Sequence, residues 1–274
     1  MTPLSEVIFY SLLGGIFSLL GGFLLIRSKR SAEKLANYAT PFAAGALLAA
    51  AFGDLLSEGA AHSDSALSYA LIGILAFFLL ERFLRFFHHH HDHEDAKSDP
   101  TVSLIIIGDT LHNFIDGIAI AAGFLVDSST GVIVTIAVAA HEIPQEIGDF
   151  GIMLRKGLAP RKVLLVNFVS ALATLLAAVI FFQLGQSTEL RLDILLGLVA
   201  GFFIYIAVSD IIPTIHKSEE SVLAGPQTLL LLAGVVIVTL VTGALHGVIE
   251  TEADHHGHDE SVNHTLMETD HDVH

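Results

Sequence analysis

Eight apolar runs, each close to the roughly 20 residues that cross a bilayer, recur along this chain at about 7–26, 39–57, 66–86, 101–126, 130–154, 162–184, 192–214 and 227–249. In lipid every backbone N–H and C=O must be satisfied internally, and runs of this length do so as helices. The runs therefore predict an all-α integral membrane protein, a bundle of eight transmembrane helices joined by short loops. Charged residues make up only 15% of the chain and the mean hydropathy is +0.67, whereas a soluble domain carries about 25% charged residues. The bilayer is the expected solvent. The first run, VIFYSLLGGIFSLLGGFLLI, is as long as a full span and no small-residue cleavage site follows it, so it is read as a span and not as a signal peptide. Its Gly14, Gly15, Gly21 and Gly22 invite close helix packing, within one protomer or in a homodimer.

Lys and Arg set the orientation, because cytoplasmic loops of membrane proteins are enriched in them. Arg27, Lys29, Arg30 and Lys34 flank the first loop, and Arg82, Arg85 and Lys97 the third. Arg155, Lys156, Arg161 and Lys162 flank the fifth, and Lys217 the seventh. Of the 13 basic residues only Arg191 falls on the other side. Odd-numbered loops are thus expected in the cytoplasm, and both termini outside a cell (inner) membrane crossed several times. The net charge of −16 argues against nucleic acid as a partner. The absence of Cys excludes thiolate metal sites, disulfides and thiol catalysis.

Two segments stand apart from the apolar body, which spans residues 1–250. The third loop, about 87–100, contains HHHHDHEDAKSD, and residues 251–274 form a tail rich in His and acids. Neither has the apolar surface to fold alone. Imidazoles and carboxylates bind borderline divalent metals, so His88, His89, His90, His91 and His93 are read as a cytoplasmic metal-gathering loop. For the extracytoplasmic tail, a solvated disordered segment and a metal-gathering one stand side by side.

The fourth and fifth runs carry what a membrane span avoids. Within GDTLHNFIDGIAIAAGF lie Asp109, His112, Asn113 and Asp116, and within HEIPQEIGDF lie His141, Glu142, Gln145, Glu146 and Asp149. Charged groups at bilayer depth cost a few kcal/mol or more and mark function. His112 and Asp116 are four residues apart, hence on one helix face, as are His141 and Gln145. Pro144 interrupts the second motif and is expected to kink its helix, freeing carbonyls as in transporter ion sites. Because the two helices run in opposite directions, both His fall near mid-membrane. Mixed N and O ligands suit Zn²⁺, Fe²⁺, Mn²⁺ or Cd²⁺ better than Ca²⁺ or Mg²⁺. One polar residue in a span is normally a helix-packing hydrogen bond; nine on two adjacent helices point to a handled ion.

These motifs resemble the ZIP (Zrt/Irt-like) family of divalent metal transporters. HNFIDG is similar to the family's HN-x-x-D/E-G, and HEIPQEIGDF to the HE-x-P-H-E-x-G-D of its His-rich branch. PFAAGALLAAAFGDLLSEG (Pro41 to Gly59) and AGFFIYIAVSDIIP (Ala200 to Pro213) also resemble family helices. The resemblance implies transport of Zn²⁺, with Fe²⁺ or Mn²⁺ as alternatives, toward the cytoplasm. It further implies a binuclear site made by His112, Asn113, Asp116, His141, Glu142 and Gln145, with Glu146 beside them and Asp116 as the bridging carboxylate. Gln145 departs from the branch, which has His there, and the sixth helix offers Asn167 or Ser170 in place of a carboxylate. Asp54 is read as an entrance residue and Asp210 as an exit residue, with Asp109 and Asp149 along the path. Two other functions share these residues: a proton-coupled metal exporter, and an intramembrane zinc protease, since HEIPQ is one residue short of HExxH.

Overall fold

The computed structural model describes residues 2–89, 100–187, 191–217 and 225–244. Among them the secondary structure is helical. The elements are α1 (Leu4–Arg27), α2 (Lys29–His62), α3 (Ala66–His89), α4 (Pro100–Val126), α5 (Ser128–Arg155), α6 (Pro160–Ser187), α7 (Leu192–His216) and α8 (Gly225–Ala244). Seven of these are long and apolar enough to cross a membrane; the other, α5, has 28 residues but is diluted by the polar motif it carries. The ends differ from the apolar runs because polar residues extend a helix beyond the bilayer. α2 begins at Lys29, ten residues before its apolar stretch, with the Ser28 hydroxyl accepting from the Ser31 amide at its N-terminus.

The surface is inverted relative to a soluble protein. Leu67, Leu71, Leu75, Leu79 and Phe83 of α3 and Leu229, Leu232, Val236 and Leu240 of α8 are exposed, presenting a hydrocarbon face to lipid. The interior is built from small residues, among them Ala43, Ala44, Ala46, Ala50 and Ala51 of α2 and Ala119, Ala121 and Ala122 of α4. Small side chains let helices approach closely where no hydrophobic effect drives them together.

Packing divides the helices into two groups. In one, α1 packs on α5 and α6 and α4 packs on the same two helices; in the other, α7 packs on α3 and α2, and α8 lies on α2. Glycines make the closest approaches within each group. A Cβ at Gly45 of α2 would collide with the Leu231 carbonyl of α8, one at Gly201 of α7 with the Ala70 carbonyl of α3, and one at Gly117 of α4 with the Thr174 carbonyl of α6. The glycines of α1 are used in the same way inside the protomer: Gly15 meets Ala171, Gly21 the Ile143 carbonyl and Gly22 the ring of Phe150. The groups touch mainly where α2 meets α5 and α1, and where α7 meets α4.

Two turns of the bundle depart from the α-helical hydrogen-bond pattern, and neither holds Pro144. α5 passes through Pro144 as one helix, although the proline brings no N–H to the carbonyl of Ala140. Instead α2 and α7 each widen into a six-residue π turn, Ala50–Leu55 and Ile206–Ile211, a distortion that inserts a residue into the helical circuit and concentrates at functional sites. Asp54 and Asp210 sit on these turns.

Backbone contact at Gly201 predicts that Gly201→Leu lowers the thermal unfolding midpoint of the detergent-purified protein, at a cost of about 1–3 kcal/mol or more from overpacking. Gly243→Ala, with open space where its Cβ would go, should leave the midpoint unchanged. Identical midpoints for the two variants would refute the close approach.

Candidate metal centre

The hairpin of α4 and α5 sets the depth of the site. A single residue, Asp127, separates the helices, and its carboxylate accepts from the Thr130 amide at 2.8 Å to cap α5. Close packing near the tip is allowed by Gly123, where a Cβ would lie 3.0 Å from the Cα of Gly131. His112 and His141 are fifteen and fourteen residues from Asp127. At about 1.5 Å per residue the two imidazoles are at equal depth, about 21–23 Å from the tip.

There the side chains converge. His112 Nε2 lies 3.0 Å from His141 Nε2, 3.7 Å from Glu142 Oε1 and 3.8 Å from Asp116 Oδ2. His141 Nε2 lies 3.2 Å from Asp116 Oδ2 and 3.9 Å from Glu142 Oε1. Asp116, His141 and Glu142 are buried, each 2% exposed or less. His141 Nδ1 is 3.0 Å from the carbonyl of Ala137. A carbonyl can only accept, so Nδ1 of the neutral ring carries the proton and Nε2 aims a bare lone pair at the Asp116 oxygen. Such a backbone bond to the remote nitrogen is how metal-binding His are oriented. A proton of the His112 ring can bridge the two nitrogens; where none stands between them, lone pairs facing one another at 3.0–3.9 Å repel in a low-dielectric interior, and one cation among them turns the repulsion into coordination. Tetrahedral zinc, with bonds of about 2.0–2.1 Å, needs neighbouring ligand atoms about 3.3–3.4 Å apart, which falls inside the observed range.

A second group lies one turn toward the end of the bundle that carries the basic loops. One oxygen each of Asp109, Glu142 and Glu146 lies within 4.8 Å of the others. The antiparallel pairing explains it: Asp109 precedes His112 on α4 as Glu146 follows Glu142 on α5, so both step the same way. The carboxylate common to the two groups is Glu142, whereas the family resemblance implied Asp116 as the bridge. Linear spacing places Asp116 beside His112 but cannot show which carboxylate of the facing helix lies between the two layers.

The remaining expected residues are distributed around these groups. Asn113 is buried and occupied: its Nδ2 donates to both the backbone and side-chain oxygens of Asp109, at 3.1 Å each, and its Oδ1 accepts from Thr174 at 2.8 Å. It orients Asp109. Asn167 is buried on α6, with Nδ2 donating to the Val163 carbonyl. Gln145, Asp149 and Asp210 line a cavity of about 310 Å³ that begins at His112 and Asp109 and runs toward the basic end. Asp54, 4% exposed, lies at the opposite end and accepts from Thr242 at 3.2 Å. α3 runs to His89; His90, His91, His93 and the tail 251–274 lie outside the described residues. Linear spacing missed the aromatic surround: Phe77 of α3 meets His112 edge-on at 5.9 Å, and Phe203 of α7 meets His141 at 6.3 Å. It also missed Glu81, which shares the cavity and accepts from Tyr205 at 2.6 Å. Its acidic charge near the end of an apolar run was the available signal.

Fold and site together define a polytopic helical membrane protein with nitrogen and oxygen ligands gathered in its interior. The profile of the ZIP zinc transporter family matches residues 88–242. Zinc transporter ZIP13 of Pongo abelii is 32% identical over 249 residues, covering 83% of this chain and 74% of the relative. Zinc transporter ZIP4 of Homo sapiens is 38% identical over 117 residues, 43% of this chain and 18% of the relative. Zinc transporter foi of Drosophila melanogaster is 36% identical over 141 residues, 50% of this chain and 20% of the relative. The chain spans a fifth or less of those two longer relatives. The chain belongs to the ZIP zinc transporter family; it is an all-helical integral membrane protein that transports divalent metal ions, and it is not an enzyme.

The shared position of Glu142 predicts that Glu142→Gln lowers metal bound per protein at both groups, whereas Asp116→Asn affects the nitrogen-containing group alone. Elemental analysis of purified protein after equilibrium dialysis against Zn²⁺ distinguishes the two. Equal losses would show that Glu142 does not join the groups.

Proposed function

We propose that this chain carries Zn²⁺ across a cell (inner) membrane into the cytoplasm, using eight spans with both termini outside. The observation that carries the reading is the convergence of His112 Nε2, His141 Nε2, Asp116 Oδ2 and Glu142 Oε1 at separations of 3.0–3.9 Å. The names of the relatives supply the ion: they are zinc transporters. The all-oxygen group of Asp109, Glu142 and Glu146 is a second, weaker position for zinc and a better one for Mn²⁺ or Fe²⁺, since softer ions gain more from nitrogen. Cd²⁺ follows zinc at the His-containing group for the same reason.

The ion sheds water as it settles on His112, His141, Asp116 and Glu142, displacing any protons they hold. From there Glu142 hands it to the layer of Asp109 and Glu146. Gln145, Asp149 and Asp210 then pass it through the cavity to the cytoplasmic end, where the run His88–His93 gathers it. Both layers of ligands belong to α4 and α5 and so to one helix group. Movement of that group against α2, α3, α7 and α8 exposes the ion to one side and then the other.

Purified protein in sealed vesicles should take up zinc, and Asp116→Ala should reduce that flux at least tenfold. Equal flux and equal bound zinc in wild type and Asp116→Ala would sink the site. Running the assay with and without a pH gradient separates import from proton-coupled export. His112→Ala or His141→Ala should weaken zinc more than manganese in competition. Gln145→His adds a nitrogen beside His141, so zinc should gain over manganese; unchanged preference would place residue 145 away from the ion.

A further inference from the structure

α2 with α8 and α7 with α3 are two copies of one helix pair. A Cβ at Gly45 would meet the Leu231 carbonyl and the Val235 amide nitrogen; one at Gly201 would meet the Ala70 carbonyl and the Ile74 amide nitrogen. A Cβ at Gly234 would meet the Phe42 carbonyl, and one at Gly73 the Leu198 carbonyl. All these contacts keep one register. On α2 and α7 the partners are 156 residues apart: 42 with 198, 45 with 201. On α3 and α8 they are 161 apart: 70 with 231, 73 with 234, 74 with 235. The π turns obey the same register, Ala50–Leu55 matching Ile206–Ile211, so Asp54 corresponds to Asp210. Because α2 and α7 cross in opposite directions, the copies are related by an axis in the membrane plane, as in inverted-repeat transporters.

The register then pairs Thr242 of α8 with Glu81 of α3, again 161 apart. Thr242 donates to Asp54 at 3.2 Å, at the end remote from the basic loops. At the basic end Glu81 and Asp210 both line the cavity that reaches His112, and Glu81 accepts from Tyr205. One end therefore has a carboxylate matched by a hydroxyl donor; the other has two carboxylates at the corresponding places. Arg82 is next to Glu81 in an adjoining pocket but does not line this cavity.

We propose that Glu81 makes the two mouths of the transport path unequal, drawing divalent cations to the inner mouth and so lowering the concentration that half-saturates transport from that face. The proposal rests on the transport reading above. A cavity lined by one sign of charge concentrates the opposite ion, and among the described residues the register places Thr242, not a second carboxylate, beside Asp54. Glu81 acts as a positioning residue for the leaving ion, separate from the ligands on α4 and α5.

The test uses full-length protein in oriented vesicles, with Zn²⁺ presented to either face in turn. Glu81→Gln keeps an oxygen for the Tyr205 hydroxyl and removes the charge. It should raise half-saturation at the inner face about fivefold, the effect of one unit charge on a divalent ion about 8 Å away through water, and leave the outer-face value and the maximal rate unchanged. Glu81→Thr, which installs the chemistry of the other end, should do the same and keeps the idea testable if the first variant folds poorly. Equal shifts at both faces, or none at either, overturn the proposal. A shift confined to the outer face supports the asymmetry and overturns the orientation. Absence of zinc flux in wild-type vesicles overturns the transport reading beneath it.

Discussion

Two imidazole nitrogens 3.0 Å apart, with a carboxylate oxygen 3.2 Å from one of them, repel each other unless a shared proton or a metal cation lies among them. In water the repulsion would be screened; in a helical bundle lined by alanine and phenylalanine it is not. The rest of the structure holds these groups together. A one-residue turn at Asp127 fixes the relative depth of α4 and α5. The backbone of Ala137 selects the His141 tautomer that faces inward. Asn113, clamped by Thr174, holds Asp109 one turn away. Each is a local bond that a soluble helix would not need, because there a polar side chain would turn to solvent.

Glycine placement separates what is fixed from what slides. At Gly45, Gly117 and Gly201 the backbones are so close that a side chain would collide with a carbonyl, and such contacts allow little relative movement. They join α2 to α8, α4 to α6 and α7 to α3, all within a group. At the boundary the ligands meet rings instead: Phe77 against His112 and Phe203 against His141, with centroids 5.9 and 6.3 Å apart. Ring faces and edges can shift past one another without breaking hydrogen bonds. A boundary of this kind suits a protein that must move a charged centre relative to lipid while keeping that centre intact.

Much of this was legible in the sequence, for definable reasons. Apolar run length reports directly on span length, so α1 and α3 to α7 begin and end near their predicted limits. His112 with Asp116 was visible because helical periodicity places residues four apart on one face, and His141 and Glu142 because lipid makes each polar residue in a span conspicuous. Three features were not. The membership of Glu142 in both side-chain groups depends on the axial offset between antiparallel helices, which linear spacing does not encode. The role of Asn113 depends on Thr174, sixty-one residues away and on another helix. The six-residue π turns of α2 and α7 contain no proline to mark them, whereas α5 runs on through Pro144.

The distortions that do occur, at Asp54 and Asp210, belong to the repeat instead of the metal motif. A π turn rotates the helix beyond it, and here both turns place an aspartate near an end of the path, one buried beneath Thr242 and one facing the cavity. Two copies of one helix pair inserted in opposite directions would give a path with equivalent mouths. Sequence divergence at one register position, Thr242 against Glu81, breaks that equivalence without altering the backbone. The Ala-Gly pairs at 44–45 and 200–201, each nine residues ahead of its aspartate, are the sequence trace of the shared register; charge at the partner helix is where the two ends part.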